Sequence, residues 1–185
     1  MRGLIGALVS TALLLPGVAL AGEFQSQFTD VDFDQCTLIT SDEMGGTYAC
    51  PGYRGIPVMI GEGDHRTFVS YGLTSTTEKA AQQTLPPFNH FAKNAKIEWR
   101  LEQGDEDWVP VATILRWFTS RETGEKEGQV LVVTQLLPGA TCHIAYIDAL
   151  AVKDANAMAQ KIADEKAGSF DCANEPEVVQ PFKAY

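Results

Sequence analysis

The stretch IEWRLE, residues 97–102, decides the fold of this chain. Its Ile, Trp and Leu residues alternate with Glu, Arg and Glu, and this period of two predicts a β-strand with one buried face and one face in water. Two longer runs follow at residues 111–118 and 130–137, and they are apolar at nearly every position. Such runs predict central strands covered on both sides, so we expect a β-sheet in the middle of the protein.

Turn-forming residues divide the earlier part of the chain into two predicted hairpins. The first hairpin spans residues 36–50 around the turn sequence Ser-Asp-Glu-Met-Gly-Gly. The second spans residues 56–73 around the turn sequence Gly-Glu-Gly-Asp-His. Residues 22–35 are polar without a clear period, which predicts an irregular N-terminal arm. Residues 75–84 open with a Ser-x-x-Glu pattern that predicts a short helix. The following residues, 88–95, are expected to form a connector.

The period changes to that of a helix near the C-terminus. Asp154 stands where it could cap the start of this helix, and Gly168 stands where a helix commonly ends. The fold expected is therefore α+β, a mainly antiparallel β meander, curved or sandwich-like, with this C-terminal helix packed on the sheet. The apolar stripe of the helix comprises Ala155, Met158, Ala159, Ile162 and Ala163.

The first 21 residues have the pattern of a secretory signal peptide. Met1-Arg2 supplies a positive start, an apolar run broken by a Pro-Gly pair follows, and Ala19-Leu20-Ala21 is the small-x-small pattern that signal peptidase reads. The apolar run is short for a membrane span, and no basic stop-transfer cluster follows it. We therefore expect residues 1–21 to be removed and residues 22–185 to form a single globular domain, soluble in the periplasm or secreted.

The charge of the chain limits its partners. The formal net charge is −10. A protein that binds nucleic acid or an anionic membrane needs Lys and Arg on one face, so both classes of partner are disfavoured. A cationic envelope protein or peptide is compatible with this charge, as is a surface that is acidic for solubility alone.

The cysteines agree with export. The chain has four, at Cys36, Cys50, Cys142 and Cys172, and an even number in an oxidising compartment predicts two disulfides. Three pairings are possible, and proximity in the sequence favours Cys36–Cys50 and Cys142–Cys172. No C-x-x-C spacing is present, so a thioredoxin-like redox centre or a zinc knuckle is not indicated.

The densest group of potential metal or acid–base ligands is Glu62, Asp64 and His65. Their oxygen and imidazole groups could hold a divalent cation. The same residues also suit a solvated hairpin tip, and one turn supplies few fixed ligands. We therefore expect neither a metal nor a cofactor.

Trp108 is the tryptophan expected at the surface. Trp99 and Trp117 stand at core positions of predicted strands, whereas Trp108 opens a strand directly after acidic residues that include Asp105 and Asp107. The aromatic ring beside these carboxylates predicts an interaction surface for a cationic partner.

No catalytic motif of a known kind is present. The chain lacks G-x-S-x-G, H-E-x-x-H and Walker patterns. Cys142 and His143 are adjacent, but neighbouring residues of a strand point to opposite faces, so they cannot act as a nucleophile and its base. Pairs of acidic residues could still converge in the fold, as glycoside hydrolysis requires, although no spacing singles out one pair.

Part of the chain resembles other exported proteins. The stretch Tyr48-Ala49-Cys50-Pro51-Gly52-Tyr53, followed by residues 55–58 and 64–72, resembles small exported bacterial proteins of no assigned activity. Its Tyr-x-Cys-x-Gly opening is also similar to that of periplasmic lysozyme inhibitors, which are small β-barrels. This chain is longer than those inhibitors and ends in a helix.

The expected function is that of a non-enzymatic periplasmic or secreted binding or interaction protein. The missing catalytic motifs and the acidic composition favour it. The alternatives are a periplasmic hydrolase whose carboxylates converge only in the fold, and a protein like the lysozyme inhibitors. Two buried carboxylates with raised pKa values in one concave pocket would favour the hydrolase.

We predict that signal peptidase cleaves after Ala21, because Ala19 and Ala21 occupy the two small-residue positions that it reads. Intact-mass measurement of protein from the periplasmic fraction should then give a chain that starts at Gly22. Full-length chain retained in a membrane fraction would contradict the prediction.

Overall fold

The computed structural model describes residues 22–92, 94–121 and 126–181, and the predicted signal peptide lies outside them. These residues form two β-sheets and one α-helix. The strands, in chain order, are β1 (Phe24–Asp30), β2 (Thr37–Ser41), β3 (Gly45–Pro51), β4 (Pro57–Gly63), β5 (Arg66–Tyr71), β6 (Phe88–His90), β7 (Lys96–Gln103), β8 (Trp108–Ser120), β9 (Gly128–Gln135), β10 (Cys142–Asp148) and β11 (Glu177–Val179). The helix, α1, is Ala155–Lys166, and short 3-10 helices cover Phe33–Gln35, Tyr53–Gly55 and Lys79–Gln82.

The chain forms one large and one small β-sheet, and in the sequence the strands of the small sheet lie between two strands of the large one. In the described residues the large sheet has seven strands in the order β1-β7-β8-β9-β10-β11, with β6 paired to the end of β8. The small sheet is the four-stranded meander β2-β3-β4-β5, which the chain completes between β1 and β6. All pairs are antiparallel except β10 with β11. The α+β fold expected from the sequence is confirmed, with two facing sheets rather than one curved sheet.

The main hydrophobic core lies between the two sheets. Trp99 and Trp117 of the large sheet are 0% and 1% exposed, as their positions in the sequence predict. Tyr71 of the small sheet meets Trp99 edge-on, with 5.7 Å between ring centroids. Ile60 and Val69 of the small sheet are also buried in this core. The aliphatic and aromatic side chains between the sheets exclude water and hold the sheets face to face.

Helix α1 covers the opposite face of the large sheet. Ala159 and Ala163 are fully buried, and their small side chains let the helix approach the strands closely. Met158, which the predicted apolar stripe included, is 37% exposed. Asp154 does not cap the helix with its side chain and instead adopts a left-handed backbone, with φ at 57°.

The centre of β7 has no face in water, contrary to the prediction, and of the predicted wet face Glu102 alone is exposed. Glu98 and Arg100 are buried, because α1 and β1 surround them with polar partners. Asp164 of α1 accepts two hydrogen bonds from Arg100, of 2.8 Å to Nε and 2.7 Å to Nη2. Ser26 Oγ accepts from Arg100 Nη1 at 2.6 Å and donates to Glu98. Gln160 Nε2 donates to the same Glu98 carboxylate at 2.7 Å.

The predicted N-terminal arm is in large part a strand. Residues 24–30 form β1 along the edge of β7. Gln25, Ser26 and Gln27 give this segment no apolar alternation. Backbone pairing and the contacts of Ser26 stabilise the strand instead, and neither leaves a pattern in the sequence.

The predicted helix over residues 75–84 is reduced to the 3-10 helix Lys79–Gln82. Glu78, expected to cap a helix, binds the loop between β9 and β10. Its carboxylate accepts hydrogen bonds from the backbone N–H groups of Gly139 at 2.8 Å and Thr141 at 2.9 Å. Burial acts to raise the pKa of the Glu78 carboxyl, but a hydrogen bond from Thr74 Oγ1 at 2.6 Å and these two backbone bonds together lower it.

Two disulfides fasten the outer layers. Cys36–Cys50 joins the start of β2 to β3, and Cys142–Cys172 joins β10 to the segment after α1. These are the pairings that proximity in the sequence favours. Within the described ranges, no helix has the length and apolar character needed to cross a membrane.

We predict that Asp164→Ala lowers the free energy of unfolding by about 3 kcal/mol, because it leaves the buried Arg100 guanidinium without its carboxylate. Urea denaturation followed by tryptophan fluorescence measures the change. The matched control is Glu165→Ala on the same helix, where the Lys161–Glu165 pair is exposed at 3.8 Å and should contribute at most about 0.5 kcal/mol. Equal losses in both variants would contradict the prediction.

Candidate functional site

A cleft lies at one open end of the two-sheet sandwich. It has a cavity volume of about 690 Å³. The β2–β3 turn and the β4–β5 turn form its small-sheet wall, and β6 with the facing ends of β8 and β9 forms the other. We call it the acidic cleft, because carboxylates predominate among its titratable lining residues, Glu43, Glu62, Asp64, His65, Arg66, His90 and Glu127.

The tight β4–β5 turn places the predicted ligand group in this cleft. Gly63 pairs with Arg66, so only Asp64 and His65 connect the strands. Both have positive φ, at 51° and 58°, as a two-residue hairpin of the primed type requires. Glu62, Asp64 and His65 therefore line one cleft, as their clustering suggests.

Asn89 positions the opposite wall, and the sequence did not single out this role. Its backbone N–H donates to His65 O at 3.0 Å, and its side-chain oxygen accepts from Thr67 N at 3.0 Å. Asn89 is 4% exposed and joins β5 of the small sheet to β6 of the large one. The residues expected to form a connector thus include a strand, with His90 at the cleft and Phe91 buried in the core.

Two of the cleft carboxylates have a side-chain partner. Arg66 binds Asp64 at 3.1 Å, and His90 Nε2 lies 3.3 Å from Glu127. Glu43 and Glu62 make no side-chain hydrogen bond or ion pair with any described residue. The cleft therefore presents two carboxylates without a side-chain partner among the described residues, Glu43 and Glu62, beside Asp64, which is paired with Arg66, and Glu127, which lies near His90.

Glu62 is the cleft carboxylate with a perturbed acidity. The residue as a whole stays exposed, but its carboxyl is partly desolvated, and this burial raises its pKa. Nearby water no longer stabilises the negative charge fully, so a cation that entered the cleft would interact with it favourably.

The ligand group does not converge as a metal site would. Asp64 is turned to Arg66, and in the part of the chain that the structure describes no three His, Cys, Asp or Glu residues are placed to share an ion. The titratable groups that line the cleft are mainly carboxylates, which accept hydrogen bonds and carry negative charge.

The predicted surface around Trp108 is largely occupied by the protein itself. Trp108 is half-buried and packs against the core between the sheets, contrary to the expectation of an exposed ring. Arg54 donates two hydrogen bonds to Asp107 and so holds the pKa of that carboxyl below its usual range. Asp105 is exposed beside it and lies outside the acidic cleft.

His143 is far from being a catalytic base. It is 1% exposed, its Nδ1 lies 2.9 Å from Tyr146 Oη, and its ring packs edge-on against Trp117. Its neighbour Cys142 belongs to the core on the helix side and is bonded to Cys172. Burial lowers the pKa of His143 to about 3, so the ring is neutral at physiological pH.

No protein-family model, curated protein or solved structure matches this chain.

We predict that His143 makes the fold sensitive to acid. The unfolded chain protonates this residue near the ordinary pKa of about 6.5, whereas the folded chain does so only near 3. Above about pH 6.5 the neutral His143 ring therefore costs the folded state nothing. Below that pH the free energy of unfolding falls by up to about 1.4 kcal/mol per pH unit as the pH drops toward 3.

Urea denaturation between pH 7 and 4.5 measures how the free energy of unfolding changes with pH. His143→Phe should reduce this slope by the amount that the uptake of about one proton contributes. NMR titration of the His143 ring should show no protonation above pH 5. A ring that titrates near 6.5 would contradict the prediction.

Proposed function

We propose that this protein is a non-enzymatic binding protein, exported to the periplasm, whose acidic cleft takes up the cationic part of an envelope protein or peptide. The observation that carries the proposal is the pair of uncompensated carboxylates, Glu43 and Glu62, in a cleft of about 690 Å³. A cationic side chain between them would gain charge-assisted hydrogen bonds that no described residue supplies.

The overall charge supports the same partner class. A chain with a formal net charge of −10 attracts cationic molecules over a distance and repels anionic ones. The cleft then adds specificity, because Glu43 and Glu62 line the same concavity. Charge at such an exposed site chiefly sets the rate of association and its salt dependence.

Binding is favoured over hydrolysis by the state of the carboxylates. A pair of carboxyl groups that share acid–base work needs environments that push their pKa values apart. In the acidic cleft a raised pKa is found at Glu62, whereas Asp64 and Glu127 are engaged with Arg66 and His90. This arrangement suits a receptor for cations better than an acid–base pair.

Export is supported by two independent features. The first 21 residues have the signal-peptide pattern, and the described residues contain two disulfides, Cys36–Cys50 and Cys142–Cys172. Disulfides form and persist in oxidising compartments such as the periplasm.

We predict that labelled tetralysine binds the protein and that Glu62→Gln with Glu43→Gln weakens the binding roughly tenfold, the equivalent of about 1.4 kcal/mol. The physical reason is the loss of both uncompensated charges without a change in side-chain shape. Fluorescence anisotropy at low salt measures the dissociation constant, which should rise as salt is added.

The matched control is Glu165→Gln with Asp105→Asn, which removes the same charge from exposed positions outside the cleft. It should weaken tetralysine binding by less than about twofold. Equal losses in the two double variants would show attraction to net charge alone and would refute a site in the cleft. If Asp105→Asn alone weakened tetralysine binding, the binding site would lie at the turn before Trp108 and not in the cleft.

A further inference from the structure

The strand β2 is an open edge of the small sheet. In the described structure it pairs with β3 alone, and all five of its residues, Thr37–Ser41, are exposed. Leu38 and Ile39 are 52% and 55% exposed. An edge of this kind carries unpaired backbone N–H and C=O groups that can pair with another chain.

The other sheet edges are protected in ways that β2 is not. Thr67 on β5 bonds to Asn89 and accepts from Thr84 Oγ1 at 2.8 Å, so the loop before β6 covers that edge. The edge strands β1 and β11 contain the charged residues Asp30 and Glu177. The sequence of β2, Thr-Leu-Ile-Thr-Ser, contains no charge and no proline, which are two of the common protections of an edge.

Negative charge brackets this uncharged strand. Asp34 precedes it, and Asp42 and Glu43 follow it, all exposed. Residues 22–53 contain six acidic residues and no Lys or Arg. The edge therefore favours a strand whose ends are basic.

The open edge runs into the acidic cleft. A second depression, lined among others by Thr40, Ser41 and Asp42, shares Met44 and Glu62 with the cleft. A chain extended along β2 would therefore end beside Glu43, in the turn that joins β2 to β3 and lines the cleft.

We propose that the partner is an extended segment of another polypeptide, with apolar or β-branched residues flanked by Lys or Arg, which adds to β2 as a fifth strand of the small sheet. This inference rests on the proposed function and names the class of ligand that the cleft receives. Main-chain hydrogen bonds to β2 hold the segment, and its basic end enters the cleft.

A second copy of this chain fits the edge poorly. Antiparallel pairing of two β2 strands would bring the acidic flank before one strand toward the acidic flank after the other, and like charges repel. The register also shifts between Leu38 and Thr40, so Ile39 has no partner on β3. The added twist of this bulge disfavours long pairing between two whole edges and leaves room for a short strand.

The experiment compares two peptides of equal charge, Lys-Lys-Thr-Val-Thr-Val-Lys-Lys and the same peptide with its four central amides N-methylated. The methyl groups remove the main-chain donors and keep the side chains. The unmodified peptide should bind roughly tenfold more tightly, and it should slow hydrogen exchange of the backbone amides in residues 37–41.

Ile39→Lys tests the protein side, with Leu73→Lys as the matched control at a residue that is 95% exposed. Both add one positive charge, but Ile39→Lys alone alters the edge. It should weaken the unmodified peptide more than the control does and should change tetralysine binding by no more than the control. An equal effect of the two substitutions on the peptide would overturn the proposal.

The remaining outcomes separate the two proposals. Equal affinity for both peptides, with tetralysine binding still lost in Glu62→Gln with Glu43→Gln, overturns strand addition and leaves the cleft as a cation site. No binding of either peptide or of tetralysine overturns both. Exchange protection at residues 24–30 instead of 37–41, or a dimer in light scattering with β2 protected before peptide is added, overturns strand addition to β2.

Discussion

Burial of both faces of the large sheet is the constraint on which the rest of the structure depends. The strand β7 shows how the two faces are treated differently. Trp99 points into an apolar layer and packs against Tyr71 of the small sheet. Arg100, the next residue, points to the other face and needs a carboxylate there, which α1 supplies as Asp164. The small sheet precedes β7 in the chain and covers one face of this strand. The helix α1 follows β7 in the chain and covers the other face.

The difference in size between the two sheets creates the exposed features of the molecule. Four strands cannot cover the whole face of seven, so the sandwich is left open at the end where the β4–β5 turn and β6 meet. Asn89 joins the two walls there by accepting a hydrogen bond from Thr67 N. The same small sheet ends in β2, whose free edge no other described element covers. Cleft and edge are thus two consequences of one mismatch, which is why they lie side by side.

The sequence predicted those elements whose own side chains form the core. Ile97, Trp99 and Leu101 alternate because one face of β7 is apolar, and the structure buries all three. It failed where partners remote in the chain determine the structure. Glu98 and Arg100 read as a face in water because Asp164 and Gln160 are more than sixty residues away. In β1, pairing with β7 replaces any apolar period of its own.

Only the part of the candidate site that lies on one hairpin was predictable from the sequence. Glu62, Asp64 and His65 stand together because one hairpin carries them. Glu43, His90 and Glu127 come from three other segments, so only the fold could bring them to the hairpin. Trp108 was misjudged for the opposite reason. The acidic turn beside it suggested exposure, but Arg54, far away in the sequence, occupies Asp107, and the ring packs on the core.

Glu62 shows why an unpaired carboxylate in a cleft points to binding. The charged form of this carboxyl is less favourable in the folded protein than in water, since partial burial raises its pKa. Neither Arg66 nor His90 offsets this penalty on the charged form, because Arg66 binds Asp64 and His90 lies beside Glu127. Asp164 shows the opposite arrangement within the same chain, a carboxylate fully matched by a guanidinium and committed to the fold. A binding site uses the first arrangement, because only an uncompensated charge gains when a ligand of opposite charge arrives.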